Sequence, residues 1–257
     1  MNQPKTIPPE LRNAMTRARP PLSLAIEPGT IDDYRSLAHT HYAKAEPALR
    51  ALVLRAVDAR RGSLAGVLVV SFPTLNGAWR KHAWPELFAA NDRKLAARRV
   101  NTLVRRISRV IVDPRYRGCG VGRRLVRAYL DNPLTDLTEA VASMGALCPV
   151  FERAQMRRVH TPTPARDETL RRALDERAIT PERLLRASAP RLLGRDPSLG
   201  EHLLRWANAS RATRKLTAGS PANIAPIAAA ALLAPKAVFV CGTTRGGPDD
   251  RKHARRR

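Results

Sequence analysis

The chain has 257 residues, enough for one large domain or for a core domain with a sizeable appendage. Its three cysteines, Cys119, Cys148 and Cys241, are too few and too scattered for a disulfide framework or a zinc site, so no metal is expected and the setting expected is a reducing cytoplasm. With 46 Lys and Arg against 22 Asp and Glu the formal charge is +24, which favours polyanionic partners, while the longest apolar run, 224–234, is too short to cross a bilayer and no membrane partner is expected.

Residues 1–21 carry Pro8-Pro9 and Pro20-Pro21, have little to bury, and are expected to form a flexible basic arm. Residues 22–26 read as a strand. Gly29-Thr30 then opens a short helix in which Thr30 caps and Asp33 answers three residues later. Residues 51–57 and 66–72, rich in Val and Leu, flank the turn-like segment 58–63 and predict an antiparallel hairpin of central strands. Residues 73–85 read as a loop with Trp79 and Trp84 exposed or half-buried, and 86–99 as a helix. Residues 106–112 form an apolar strand that stops at Asp113-Pro114, where proline denies the next ladder bond. Val121, Leu125, Val126, Tyr129 and Leu130 recur at helical spacing, with Arg123, Arg124 and Arg127 opposite them, until Asp131-Asn132-Pro133 ends the helix. A short strand at 137–141 and a short helix at 149–155 follow.

Beyond His160 the texture changes. Residues 167–177, 181–187 and 199–216 read as amphipathic helices, 222–233 as an alanine-rich buried helix, and 236–241 as a last strand. Residues 242–257 end in a cluster of arginines and are expected to be a disordered basic tail. The organisation predicted is thus an arm (1–21), a core domain (22–160), a helical appendage (161–235), a final sheet strand (236–241) and a tail (242–257).

The chemistry concentrates between Val110 and Leu125. There a buried strand ends, Gly118, Gly120 and Gly122 alternate, and a helix begins. Glycines let backbone approach an anion closely, and the first turn of a helix presents free N–H groups and the positive end of its dipole. Arg117 and Arg123 add charge-assisted hydrogen bonds, so the segment is suited to a diphosphate. The spacing is Gly-x-Gly-x-Gly, not the Gly-x-Gly-x-x-Gly of a dinucleotide fingerprint, and no Gly-Lys-Ser/Thr follows as in a Walker loop.

This stretch resembles motif A of the GNAT acetyltransferases, Gln/Arg-x-x-Gly-x-Gly/Ala, matched by Arg117, Gly120 and Gly122. The flanks 66–77, 107–110 and 138–141 are similar to the acetyltransferase-like domain fused to some ABC-type ATPases. The resemblance spans about 22–160 and implies an α/β (α+β) fold: a mixed, mostly antiparallel sheet flanked by helices, here with a helical C-terminal insertion or extension. It implies an N-acetyltransferase that uses acetyl-CoA or another acyl-CoA. Arg117, Gly118, Cys119, Gly120, Val121, Gly122 and Arg123 would hold the pyrophosphate. The strands 108–112 and 137–141 would splay apart, with pantetheine pairing to the backbone of Ile111 and Val112. An amine nucleophile needs a general base, for which Glu139 is the candidate, against the alternative of a salt-bridged strand glutamate. His41 and Tyr42, after the first helix, are candidates for acceptor binding, against the alternative of surface residues.

One position departs from the pattern. Many family members place a tyrosine acid in a Phe-Tyr-x-x-x-Gly-Phe helix, and here Phe151 stands at that place. Either the thiolate leaves by way of water or another donor, or the domain is an acyl-CoA sensor with weak catalysis. The charge keeps a third reading in view, a nucleic-acid-associated binder or base modifier, since some phage proteins that modify adenine in DNA resemble this fold. Aromatic residues are only 4% of the chain, with no basic stripe interleaved for base stacking, no zinc finger and no helix-turn-helix. The acceptor amine and the oligomeric state are not legible.

Overall fold

The computed structural model describes residues 22–41, 46–47, 49–90, 92–210 and 213–242. The expected arm, the expected basic tail beyond 242 and Tyr42 lie outside the described residues.

Among the described residues one seven-stranded sheet runs in the order β1-β2-β3-β4-β5-β7-β6. The strands are β1 (Leu24–Pro28), β2 (Arg50–Asp58), β3 (Ser63–Ser71), β4 (Val104–Val112), β5 (Leu137–Ala142), β6 (Arg157–Val159) and β7 (Ala237–Cys241). All neighbours pair antiparallel except β4 and β5, which are parallel. The fold is therefore the mixed, mostly antiparallel α/β architecture expected, and the last strand enters the sheet between β5 and β6.

Local chemistry sets the ends of these elements. Helix α1 (Ile31–Ala38) starts in a complete capping box: Asp33 N–H donates to Thr30 Oγ1, and Thr30 N–H donates to Asp33 Oδ2 at 2.7 Å. Tyr34 and Leu37 then face Val53, Val67, Val69 and Ile111 on the sheet. The β2–β3 turn closes on Asp58, whose Oδ1 accepts Arg60 N–H, and on Gly62 at φ +63°. β3 is buried from Ala65 to Ser71, as a central strand covered on both faces must be.

On the opposite face, α5 (Val121–Asp131) lays Val121, Leu125, Val126 and Tyr129 onto Leu68, Val70 and Ile107. The approach is close: a Cβ on Gly66 would lie 2.8 Å from the Ile111 carbonyl and 3.1 Å from Val121 Cγ1. The face shared with α1 is covered further along by α2 (Arg80–Ala83), α3 (Pro85–Phe88) and α4 (Arg93–Leu103), which pack Ala83, Trp84, Phe88 and Val100 on Val104, Leu137, Val238 and Val240. A short α6 (Val150–Arg153) lies beside α5 and puts Phe151 and Ala154 into the same core.

The remaining helices, α7 (Ala165–Asp175), α8 (Ala189–Arg195), α9 (Pro197–Asn208) and α10 (Pro221–Leu233), enclose a separate apolar cluster around Leu199, Leu203, Trp206 and Ala228. Trp206 Nε1–H donates to the buried Asp167 carboxylate at 2.6 Å, and the Arg166 guanidinium lies over the indole.

Several expectations are corrected. Trp84 is 2% exposed, because its ring packs against Phe88 while its Nε1–H donates to the Gly242 carbonyl. The helix expected over 86–99 is two helices, α4 starting afresh where Asp92 accepts Leu95 N–H. The segment 199–216 divides into α9 and a 3-10 turn, Arg214–Ala218. Helix α8 and strand β6 were not expected.

Candidate functional site

The glycine segment is anchored from behind. Tyr116, 5% exposed, sends its hydroxyl to Asp58 Oδ2 at 3.2 Å and to Ser63 Oγ at 2.6 Å, which pins the end of β4 to the β2–β3 hairpin. Asp113 accepts the Arg115 N–H and its guanidinium, and that hydrogen bonding holds the Asp113 carboxyl below the usual carboxylate range. Gly118 and Gly120 both take left-handed backbone, φ +79° and +77°, and a Cβ added at either meets nothing within 4 Å. Gly122 differs: α5 packs closely there, and a Cβ added to it would lie 3.1 Å from Val150 Cγ2.

The backbone of Gly118 and Gly120 is therefore open to approach at the start of α5. Among the described residues no backbone acceptor is recorded for the N–H groups of Gly118, Gly120, Val121, Gly122 and Arg123, while Arg124 N–H already donates to the Gly120 carbonyl. Amides at a helix start are suited to an anion such as a diphosphate. Arg123 is exposed beside these amides, and Arg117 is exposed with its guanidinium donating weakly to the Val112 and Thr40 carbonyls at 3.3 and 3.4 Å.

Next to the cradle the sheet opens. β4 and β5 pair only from Val104↔Leu137 to Ile107↔Ala140. Beyond that, β5 pairs with β7 alone, and β4 runs on against β3 alone to Val112. A register shift at Val69/Val70 sets Ser108 out of the β3–β4 ladder, a bulge where β4 departs from β5. Ile111 and Val112 lie on this free edge.

Glu139 is 0% exposed and its carboxylate is saturated by donors. Oε2 accepts Trp79 Nε1–H and Arg80 Nε–H, both at 2.9 Å, and Oε1 accepts Arg80 Nη2–H at 2.9 Å and Arg106 Nε–H at 3.0 Å. Arg80, 2% exposed, also donates to the Thr74 and Leu75 carbonyls. Gly77 is needed for this route, since a Cβ there would lie 2.8 Å from Arg80 Cζ. The cluster ties the 73–79 loop to β4 and β5 where these strands part. A general base needs a lone pair open to the substrate, and Glu139 has none to spare. Glu139, expected as a candidate base, is thus a buried carboxylate bonded to Trp79, Arg80 and Arg106.

Between α1 and the α2–α4 layer lies a cleft of about 850 Å³, lined by Glu46, Leu49, Ser71, Arg106, Ser108 and Arg109 among others. Ser71 Oγ and Ser108 Oγ are 2.8 Å apart on its floor, and Ser108 also donates to the Val69 carbonyl. His41 is not among the lining residues. The carbonyl of its neighbour Thr40 accepts a weak hydrogen bond from Arg117. Phe151 is 7% exposed and stacked on Phe239, so no hydroxyl stands at the expected acid position. Arg80, Arg109 and Glu46 were missed from the sequence. Glu46 and Arg109 carry no motif, and only a lone glutamate within the apolar run 137–141 signalled that partners such as Arg80 must exist.

Compared with known families, residues 33–132 match the model of the Acetyltransferase (GNAT) family. That segment is similar to the GNAT acetyltransferases. The match includes most of α1, β2 to β4, the glycine cradle and α5, while β5 and β7 of the same sheet lie beyond it. Among solved structures the chain is similar to a mosquito arylalkylamine N-acetyltransferase like 5b (14% identity, 54% of this chain and 85% of that one, TM-score 0.34). It is also similar to SsHAT (15%, 55% and 95%, 0.34) and to an apo mutant form of an agmatine N-acetyltransferase (12%, 54% and 84%, 0.34). No curated protein matches significantly. No helix among the described residues is long and apolar enough to cross a membrane.

Proposed function

We propose that this chain is an acyl-CoA-dependent N-acyltransferase, acetyl-CoA being the first donor to test. The observation that carries the reading is the adjacency of two features: the amide cradle at Gly118–Arg123, and the gap that opens where β4 leaves β5 after Ile107↔Ala140. A bound acyl-CoA supplies a thioester carbonyl activated toward an amine. The cradle amides, Arg117 and Arg123 hold its phosphates, and the free edge of β4 at Ile111 and Val112 offers backbone groups to the pantetheine amides. The cleft on the α1 side receives the acceptor, so that donor and acceptor meet at the bulge around Ser108.

Glu139 acts here as a positioning residue that keeps β4, β5 and the 73–79 loop in fixed relation. At the cleft rim Glu46 has its pKa lowered, chiefly by the hydrogen bond from Arg35, which makes it a weak base but a good attractor for an ammonium. The proton given up by the nitrogen then leaves through water. The test is thiol release from acetyl-CoA across an amine panel. Amine-dependent release supports transfer, and release at the same rate without amine would contradict it.

A second reading, an acyl-CoA sensor with weak turnover, draws on Phe151, which is packed on Phe239 and offers no proton to a departing thiolate. Donor binding with no amine-dependent release distinguishes it.

A further inference from the structure

We infer that Ser71 binds the acceptor: its hydroxyl oxygen accepts an N–H of the attacking nitrogen on the floor of the cleft. The inference rests on the reading of that cleft as the acceptor site, and it comes from where two hydroxyl hydrogens can go. Ser71 ends β3, in register with Arg106, and Ser108 stands at the bulge of β4. Val67 and Val69 pack toward α1, and by the two-residue period of a strand Ser71 faces the same side of the sheet. Both serines line the cleft there, with their Oγ atoms 2.8 Å apart. Ser108 Oγ also lies 3.1 Å from the Val69 carbonyl oxygen. Among the described residues neither hydroxyl has a further partner.

Only one order satisfies both hydrogens. If Ser71 donates to Ser108 and Ser108 donates to Val69, each hydrogen is bonded. In the reverse order Ser108 gives its one hydrogen to Ser71, the bond to Val69 is lost, and the Ser71 hydrogen has no protein acceptor. Ser71 is 3% exposed, a position at which an unmade hydrogen bond is costly, so the first order prevails. It leaves Ser108 Oγ accepting from Ser71 while Ser71 Oγ accepts from nothing. The open end of the pair is therefore an acceptor with its hydrogen already committed.

Such an oxygen selects for N–H. Arg106 and Arg109, also in the lining, can only donate and cannot take this part. A hydrogen bond from the amine to Ser71 fixes the nitrogen and leaves its lone pair free for attack. A serine hydroxyl is too weak a base to take the proton, so Ser71 orients the nucleophile and the released proton still leaves through water. Leu49, Phe72 and Leu75, which line the same cleft, suit an apolar body on that amine.

The test is calorimetric titration of the whole protein with butylamine and benzylamine, each beside its trimethylammonium counterpart, which keeps the positive charge and has no N–H. The primary amine of at least one pair should bind about tenfold tighter, the worth of one charge-assisted hydrogen bond, and Ser71→Ala should remove that difference. Ser108→Ala controls for a merely structural pair: it deletes the same bond between the hydroxyls but leaves Ser71 Oγ in the cleft, so most of the difference should remain. Where acetyl-CoA is turned over with the same amine, Ser71→Ala should raise the KM for amine about tenfold and leave the KM for acetyl-CoA unchanged. Equal binding within both pairs, a difference that survives Ser71→Ala, or equal losses in the two serine variants overturns the inference. The titrations need no CoA, so a failure of acetyl-CoA to bind fails the donor reading while they still decide the role of Ser71.

Discussion

Replacing Glu139 by glutamine separates an anchor from a base. In the native cluster four donors converge on two carboxylate oxygens: Trp79 Nε1, Arg80 Nε and Nη2, and Arg106 Nε. Glutamine keeps the shape but turns one acceptor into an NH2 donor. If the amide oxygen stays on the Oε1 side, Trp79 and Arg80 Nε point their hydrogens at the new NH2, and the two guanidinium charges lose their counter-ion. Arg80 at 2% exposure cannot turn to water without unpacking the 73–79 loop. Removing one partner of such a buried pair costs about 3–5 kcal/mol. At roughly 2–4 °C per kcal/mol for a chain of this size, Glu139→Gln should melt about 6–20 °C below the parent. The assay is thermal unfolding by circular dichroism beside amine-dependent thiol release at a temperature where both proteins are folded. A variant that melts within about 2 °C of the parent while its rate falls by about a hundredfold or more would refute the anchor and restore the base.

Three further outcomes follow from the geometry. Gly120→Val should weaken CoA binding at least tenfold, because its side chain fills the open side of the cradle, while left-handed backbone at φ +77° costs only about 1–2 kcal/mol in the melt; unchanged affinity would displace the cradle assignment. Gly66→Ala should cost about 1–3 kcal/mol in urea unfolding, because its Cβ would press on the Ile111 carbonyl and Val121 and lift α5 from the sheet; a neutral result would mean that this contact yields freely. Asp196 caps α9, with its carboxyl pulled down from 3.8 to about 2 by hydrogen bonds from Ser198 and Arg177. A depressed carboxyl stabilises the fold above its unfolded pKa and loses that contribution as pH falls toward the folded one. Asp196→Asn should therefore melt below the parent at pH 7, with most of that difference gone by pH 2; a difference as large at pH 2 as at pH 7 would contradict this.

The elements that were legible in the sequence are those whose cause is local. Thr30 and Asp33 are three residues apart and form the capping box that their spacing predicts. Val112-Asp113-Pro114 ends β4, and the alternating glycines do take left-handed backbone at Gly118 and Gly120. Features missed or misread depend on distant partners. The donors to Glu139 come from 33, 59 and 60 residues away, so its hydrogen bonds are not legible from its own stretch of sequence. Trp84 is buried by a chain segment 158 residues further on. Helix α8 hides behind Pro190 and Gly194, which weaken a helical pattern, and β6 has only three residues, two of them exposed arginines on the sheet edge. The cleft is assembled from the segment before β2, the end of β3 and the bulge of β4, and no window of sequence contains it.

The measurement that reaches the central claim most directly is calorimetric titration of the protein with acetyl-CoA at moderate salt, beside ATP and a short DNA duplex as tests of charge alone. Binding of acetyl-CoA at one site, at least tenfold tighter than ATP and lost in Gly120→Val, is the predicted result. Equal binding of acetyl-CoA and ATP that fades with salt, together with retention of DNA, would contradict the account and assign the affinity to the +24 charge of the chain.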